Sequence, residues 1–116
     1  MKYACLIYSE EHSNPAPGSP EFADVMAGYM KFNEDSNAAG VNLGGEPLEP
    51  VSTATCVRVR DGEVMTTDGP FAETKEHLGG FYLLDCENLD QAIEWAAQIP
   101  GALHGTIEVR PVPDFG

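Results

Sequence analysis

An α+β fold, with an antiparallel sheet and two helices packed on one of its faces, follows from three features of the sequence. Two stretches, 20–39 and 88–99, place apolar residues at helical three- and four-residue steps. Strand-like runs open the chain, fill its middle and close it. A strong two-residue hairpin signal, Asp61-Gly62, sits among the middle runs, so neighbouring strands there run antiparallel. A length of 116 residues suits one domain, 1–116, with one modest core, and an apolar share of 42% is ordinary for a globular chain.

Tyr3 to Tyr8 is dense in apolar and aromatic residues and predicts a buried first strand. The polar stretch Ser9 to Gly18 that follows is a loop marked by proline and glycine, long for a compact domain, and it contains His12. Ordered loops of that length are often functional, although an exposed, solvated histidine is the ordinary outcome. Ser19, Pro20 and Glu21 form a helix start: an N-cap, a proline at the first position and an acid facing the positive end of the dipole. Phe22, Val25, Met26, Tyr29, Met30 and Asn33 then make one mostly apolar stripe, read as core, that ends near Ala39 before Gly40.

Leu43 to Leu48 holds two glycines and a proline and predicts only a short, irregular edge strand. Val51 to Arg60 alternates Thr55, Val57 and Val59 with Cys56, Arg58 and Arg60, and its partner across Asp61-Gly62 begins at Val64. Asp68-Gly69-Pro70-Phe71 breaks that partner strand, and the polar stretch Ala72 to His77 leads to another strand at Gly80 to Cys86. Asn88 caps a second helix with Gln91 at the reciprocal capping position, and its apolar positions are Leu89, Ala92, Ile93, Ala96 and Ile99. Pro100-Gly101 stops it. Thr106 to Val112 alternates Ile107, Val109 and Pro111 against Glu108 and Arg110, the pattern of a half-exposed last strand.

The resulting order of strand, helix, group of strands, helix and strand is the ferredoxin-like βαββαβ pattern. A sheet whose second face carries apolar residues needs cover, and the simplest closed solution is a two-fold dimer of facing sheets.

Nineteen acidic residues against six basic ones give a net charge of −13, which repels phosphate backbones and anionic lipid surfaces. Nucleic acid and membrane are therefore excluded as expected partners. The opening apolar run is too short for a signal segment or a membrane span. Three scattered cysteines, Cys5, Cys56 and Cys86, lack metal or redox spacing and read as reduced thiols of a cytoplasmic protein.

The run Thr67-Asp68-Gly69-Pro70-Phe71-Ala72-Glu73-Thr74-Lys75-Glu76, followed by Leu78-Gly79-Gly80-Phe81-Tyr82, resembles the signature segment of the DGPF branch of the YCII-related family. Asp90 to Trp95, Pro100, and Ile107 to Val112 are also similar to that family in identity and order. The resemblance implies a dimeric α/β barrel of two ferredoxin-like units, a scaffold shared with isomerases, lyases and monooxygenases of small organic molecules, without implying their chemistry. It also implies a link, in some members, to extracytoplasmic-function sigma factors and a regulatory or stress context. An aspartate and a histidine form an active-site pair in parts of the wider family. Asp68 matches that aspartate, and this sequence offers His12 or His77 for the histidine.

Read by its residues alone, Asp68-Gly69-Pro70 is a turn, with Asp capping amides, Gly supplying positive φ and Pro fixing the next residue. The functional reading has the turn project Asp68 into a cavity as a general acid or base with a histidine partner. Lys75, one of few cations, is a candidate to hold a substrate carboxylate; Glu73 is on the same charged rim, and Arg110 is a further candidate. Glu108 and Arg110 are expected as a same-face pair on the sheet. His12, His77 and His104 lack ligand spacing, and no phosphate-cradling loop or nucleophile elbow is present, so no metal or cofactor is expected. Two functional classes follow: an enzyme-like small-molecule site using an Asp/His acid–base pair, and a non-catalytic metabolite-binding or regulatory dimer.

Overall fold

A computed structural model describes residues 1–10 and 13–116. The chain runs β1 (Lys2–Glu10), α1 (Pro20–Ala38), β2 (Asn42–Pro47), a 3-10 turn (Val51–Thr53), β3 (Thr55–Arg60), β4 (Glu63–Asp68), β5 (Glu76–Asp85), α2 (Leu89–Ala96), a second 3-10 turn (Pro100–Leu103) and β6 (Thr106–Pro111). Four strands form one sheet in the order β2-β5-β1-β6, with every neighbouring pair antiparallel. This is the ferredoxin-like arrangement that the order of elements predicts. The remaining pair, β3 and β4, is a separate two-stranded sheet inserted between β2 and β5.

The helix starts form as their capping residues dictate. Ser19 Oγ accepts from the Phe22 amide at 3.1 Å, and Asn88 Oδ1 accepts from the Gln91 amide at 2.9 Å. Gln91 answers one residue further out than a standard capping box, taking the Glu87 amide at 2.8 Å. Gly40, at φ +73°, ends α1 in the left-handed conformation that glycine adopts without penalty.

The core lies between the helices and one face of the sheet. Tyr3, Cys5 and Ile7 of β1 point into it with Leu84 of β5, and Phe32, Ala92, Ala96 and Ile99 cover them from the helical side. Phe32 is its centre, 4.8 Å from the Tyr82 ring and 6.1 Å from Trp95 in an edge-on arrangement. The stripe of α1 differs from the expected one. Phe32 and Ser36 are its buried residues, whereas Met26, Met30 and Asn33 are exposed. Two adjacent apolar stripes run along α1, and the position of β5 selects the one through Tyr29 and Phe32. Ser36 is tolerated inside because its hydroxyl donates to the Phe32 carbonyl at 2.7 Å and accepts from Asn42 Nδ2 at 3.0 Å.

The opposite face of the sheet carries no helix. Ala4 pairs with Leu83 and Leu6 with Phe81, so these four side chains share the face away from the core. On the other side of β1, Glu108 and Arg110 stand opposite Leu6 and Ala4 on that same face.

Candidate functional site

At one end of the sheet β1 and β5 slip in register between Ile7 and Tyr8, where Tyr8 meets Leu78 and Gly79 is left over as a bulge. Beyond the slip, Ser9 pairs with His77 and Glu10 with Glu76. That pairing starts β5 at Glu76, four residues before the strand expected from the sequence, because the polar residues find backbone partners on β1. The Leu48 amide, just past β2, donates to the Gly79 carbonyl at 2.9 Å and brings the segment that follows β2 across the bulge.

These segments enclose a crevice of about 170 Å³, lined by Ser9, Glu10, Asn14, Glu49, Val51 and His77 among others. The His77 ring is half-buried, with Nδ1 3.3 Å from Thr74 Oγ1. Thr74 donates its single hydroxyl proton to the Glu76 carbonyl at 2.7 Å. The hydroxyl can then only accept from His77, which places the proton of a neutral imidazole on Nδ1 and leaves the Nε2 lone pair free. The arrangement suits an imidazole that takes or gives a proton through Nε2.

Lys75 Nζ lies 3.4 Å from Glu10 Oε1, an exposed ion pair of little intrinsic strength, so a substrate carboxylate would compete with Glu10 for it. Glu73 is exposed and is not one of the residues that line the crevice. Arg110 stands on the open sheet face, away from the residues that line the crevice. It shares that face with Glu108, yet among the described residues no ion pair joins the two.

Asp68 is the last residue of β4, exposed, and paired through its backbone with Thr55. Among the described residues its carboxylate makes no hydrogen bond. The bend after it is held instead by the Gly69 amide on the Ala54 carbonyl at 2.7 Å and by Cys56 Sγ on the Gly69 carbonyl at 3.2 Å. Gly69 sits at φ +93°, where a side chain would be strained. Asp68 and His77 are not hydrogen-bonded to one another. His12 lies outside the described residues.

The sequence reading missed Thr74, Ser9 and the Glu10–Lys75 pair. Thr74 stands three residues before His77, a spacing that brings a hydroxyl to a ring only once the chain turns into β5. Ser9 and Glu10 reach the site through strand pairing, which no local pattern records.

A larger hollow of about 460 Å³ lies between α1 and the Pro100–Leu103 turn, lined chiefly by Val25, Gly28, Phe32, Ile99, Pro100 and Leu103. Two of its polar groups, Lys31 and Asp35, already satisfy each other. Asp24, Gln98 and His104 line it as well, so apolar and polar groups both face this hollow. No three His, Cys, Asp or Glu side chains converge to hold a metal among the described residues. None of the described helices is long and apolar enough to cross a membrane.

The antiparallel β2-β5-β1-β6 sheet with both helices on one face defines an α+β protein of ferredoxin-like fold. The chain belongs to the YCII-related family, whose domain matches residues 1–116. It is 39% identical over 114 residues to an uncharacterised protein of Rhizobium meliloti (strain 1021), a match covering 97% of this chain and 92% of that relative.

Proposed function

We propose that this protein binds a small organic molecule in the crevice at His77 and does so as a homodimer joined through the open sheet face. The observation that carries the site is the Thr74–His77 contact, which orients the imidazole and leaves Nε2 free beside Ser9 and Glu10. Among the described residues, Glu10 and Glu49 are the carboxylates that line the crevice, no Lys or Arg lines it, and Lys75 is held by Glu10. This balance favours a neutral or cationic polar ligand over an anion. The dimer is supported by Leu6, Phe81, Leu83 and Ala4, an uncharged cluster on the sheet face that no helix covers.

A second reading, an acid–base pair of Asp68 and His77, is favoured by one observation. Gly69, next to Asp68, is tied to Ala54, and Ala54 in turn to Val51, which lines the crevice, so backbone hydrogen bonds link the turn after Asp68 to one wall of the site. The two readings separate in one titration of organic amines, polar neutral fragments and carboxylates, followed by NMR of the His77 ring. A binding site at His77 gives saturable shifts of that ring for amines or neutral fragments, unchanged in Asp68→Asn, and an affinity read on the Ser9 and Thr74 amides that weakens about tenfold in His77→Gln. An acid–base pair shows instead as a His77 titration midpoint that moves in Asp68→Asn. Fragments that perturb only the hollow at Leu103, or leave the His77 ring unmoved, would sink the binding site, and a midpoint unchanged in Asp68→Asn would sink the acid–base pair.

A further inference from the structure

The hollow between α1 and the Pro100–Leu103 turn shares no lining residue with the His77 crevice and is the larger of the two, about 460 Å³ against about 170 Å³. That volume lies in the range of small-molecule sites. Its inner lining is apolar and fixed: Phe32 and Ile99 are 2% and 0% exposed. A methyl group at Gly28 would come within 2.9 Å of Pro100 Cγ. Glycine therefore stands inside α1, where it is ordinarily unfavourable, and lets the turn approach the helix. Leu103 lines the hollow with 80% exposure, so the apolar lining continues out to solvent.

The charges are distributed unevenly along this wall. Asp24 and Lys31 are seven residues apart on α1, which separates them by about 10 Å at ~1.5 Å per residue. Lys31 is taken by Asp35 one turn further on. Asp24 is exposed, and among the described residues its carboxylate has no ion pair. With His104 counted neutral, the lining holds two carboxylates against one ammonium, in a chain of net charge −13. An anion would have to displace Asp35 from Lys31 and would meet Asp24 unpaired. A small hydrated cation would gain nothing from the apolar lining, which is the larger part of the surface that Phe32, Ile99, Pro100 and Leu103 present.

We propose that this hollow binds an amphipathic organic cation: an apolar or aromatic body lies against Phe32, Ile99 and Leu103, and a single ammonium group pairs with Asp24. The apolar contact supplies most of the affinity, and Asp24 selects the sign of the charge. An exposed ion pair contributes little, so the selection at Asp24 alone is a factor of about three to five. Between an amine and a carboxylate of the same size it reaches about tenfold, since one charge is attracted and the other repelled.

The test is an NMR titration of the intact chain with 2-phenylethylamine, 2-phenylethanol and phenylacetate, followed on the methyl groups of Val25, Ile99 and Leu103. The proposal predicts saturable shifts of those methyls, with the amine bound about tenfold more tightly than phenylacetate. Asp24 and Leu103 are exposed, so variants there leave the core intact. Asp24→Asn should weaken the amine about three- to fivefold and leave the alcohol unchanged, whereas Leu103→Ala should weaken both. Phenylacetate bound as tightly as the amine, or an amine affinity unchanged in Asp24→Asn, overturns the cation. Amine shifts spread over the acidic surface while the three methyls stay still, or affinities unchanged in Leu103→Ala, overturn the site. The His77 crevice is read on its own ring, so neither result decides the other.

Discussion

The body of the molecule and its hairpin obey the same local rules and reach opposite outcomes. β1 and β3 both alternate apolar residues with others, and both have an antiparallel neighbour. Tyr3, Cys5 and Ile7 are buried, whereas Val57 and Val59 stay open. The difference lies in the second layer: α1 and α2 close over one face of β1, and among the described residues nothing closes over β3. A period-two pattern thus specifies a strand with a preferred face. Burial of that face depends on what else arrives there.

The largest break in this comparison comes from the centre of the body. Phe32→Ala removes the ring that joins Tyr82 and Trp95 and leaves a cavity under both helices, with an expected loss of about 3–5 kcal/mol in chemical denaturation.

Alkaline pH divides the two regions next. Burial, with Cys86 nearby, pushes the Cys5 thiol from its ordinary 9.0 up to about 11. Burial also raises Cys86, Tyr29 and Tyr82, all of them in the body. Each of these groups holds its proton more tightly folded than unfolded. For Cys5 this stabilisation is complete below pH 9 and declines as pH rises from there through about 11, where the unfolded chain has released a proton that the folded body still keeps, and the other three groups act in the same direction. Thermal melts between pH 8 and 11 should show a falling Tm that is less steep in Cys5→Ala. An equal slope in both would show that Cys5 is not buried as described.

The smallest effect sharpens the contrast. Asp61 and Gly62 turn the hairpin at φ +51° and +79°. Gly62→Ala strains that turn by about 1 kcal/mol, yet the body should melt within about 0.5 kcal/mol of the wild type when measured in dilute solution, because the hairpin adds nothing to the core. A large drop there would mean that the hairpin and body fold as one unit.

Much of the fold was legible because its signals are local. Ser19, Asn88 and Gly40 mark helix ends through hydrogen bonds and φ angles that span a few residues. Asp61-Gly62 marks the hairpin for the same reason. The irregular edge strand at 43–48 followed from its glycines and proline, and β2 does sit at the sheet edge with a register shift at Asn42. The choice of stripe on α1 was not legible, since Met30 and Phe32 are equally apolar and only the position of Tyr82 separates them. The candidate site was legible in part. His77 could be named from the sequence, but its partners Thr74, Ser9 and Glu10 meet it through the start of β5 and a pairing of residues about 68 apart along the chain, as with Ser9 and His77.

The sequence by itself determined the elements, their order and an α+β class, because capping, turn chemistry and periodicity act over a few residues. Only the tertiary structure decided that β3 and β4 stand apart from the main sheet, that Phe32 rather than Met30 enters the core, and that Thr74 meets Nδ1 of the His77 imidazole. Each of those depends on contacts between segments distant in the chain, where the loop that joins them leaves no trace of which surfaces will meet.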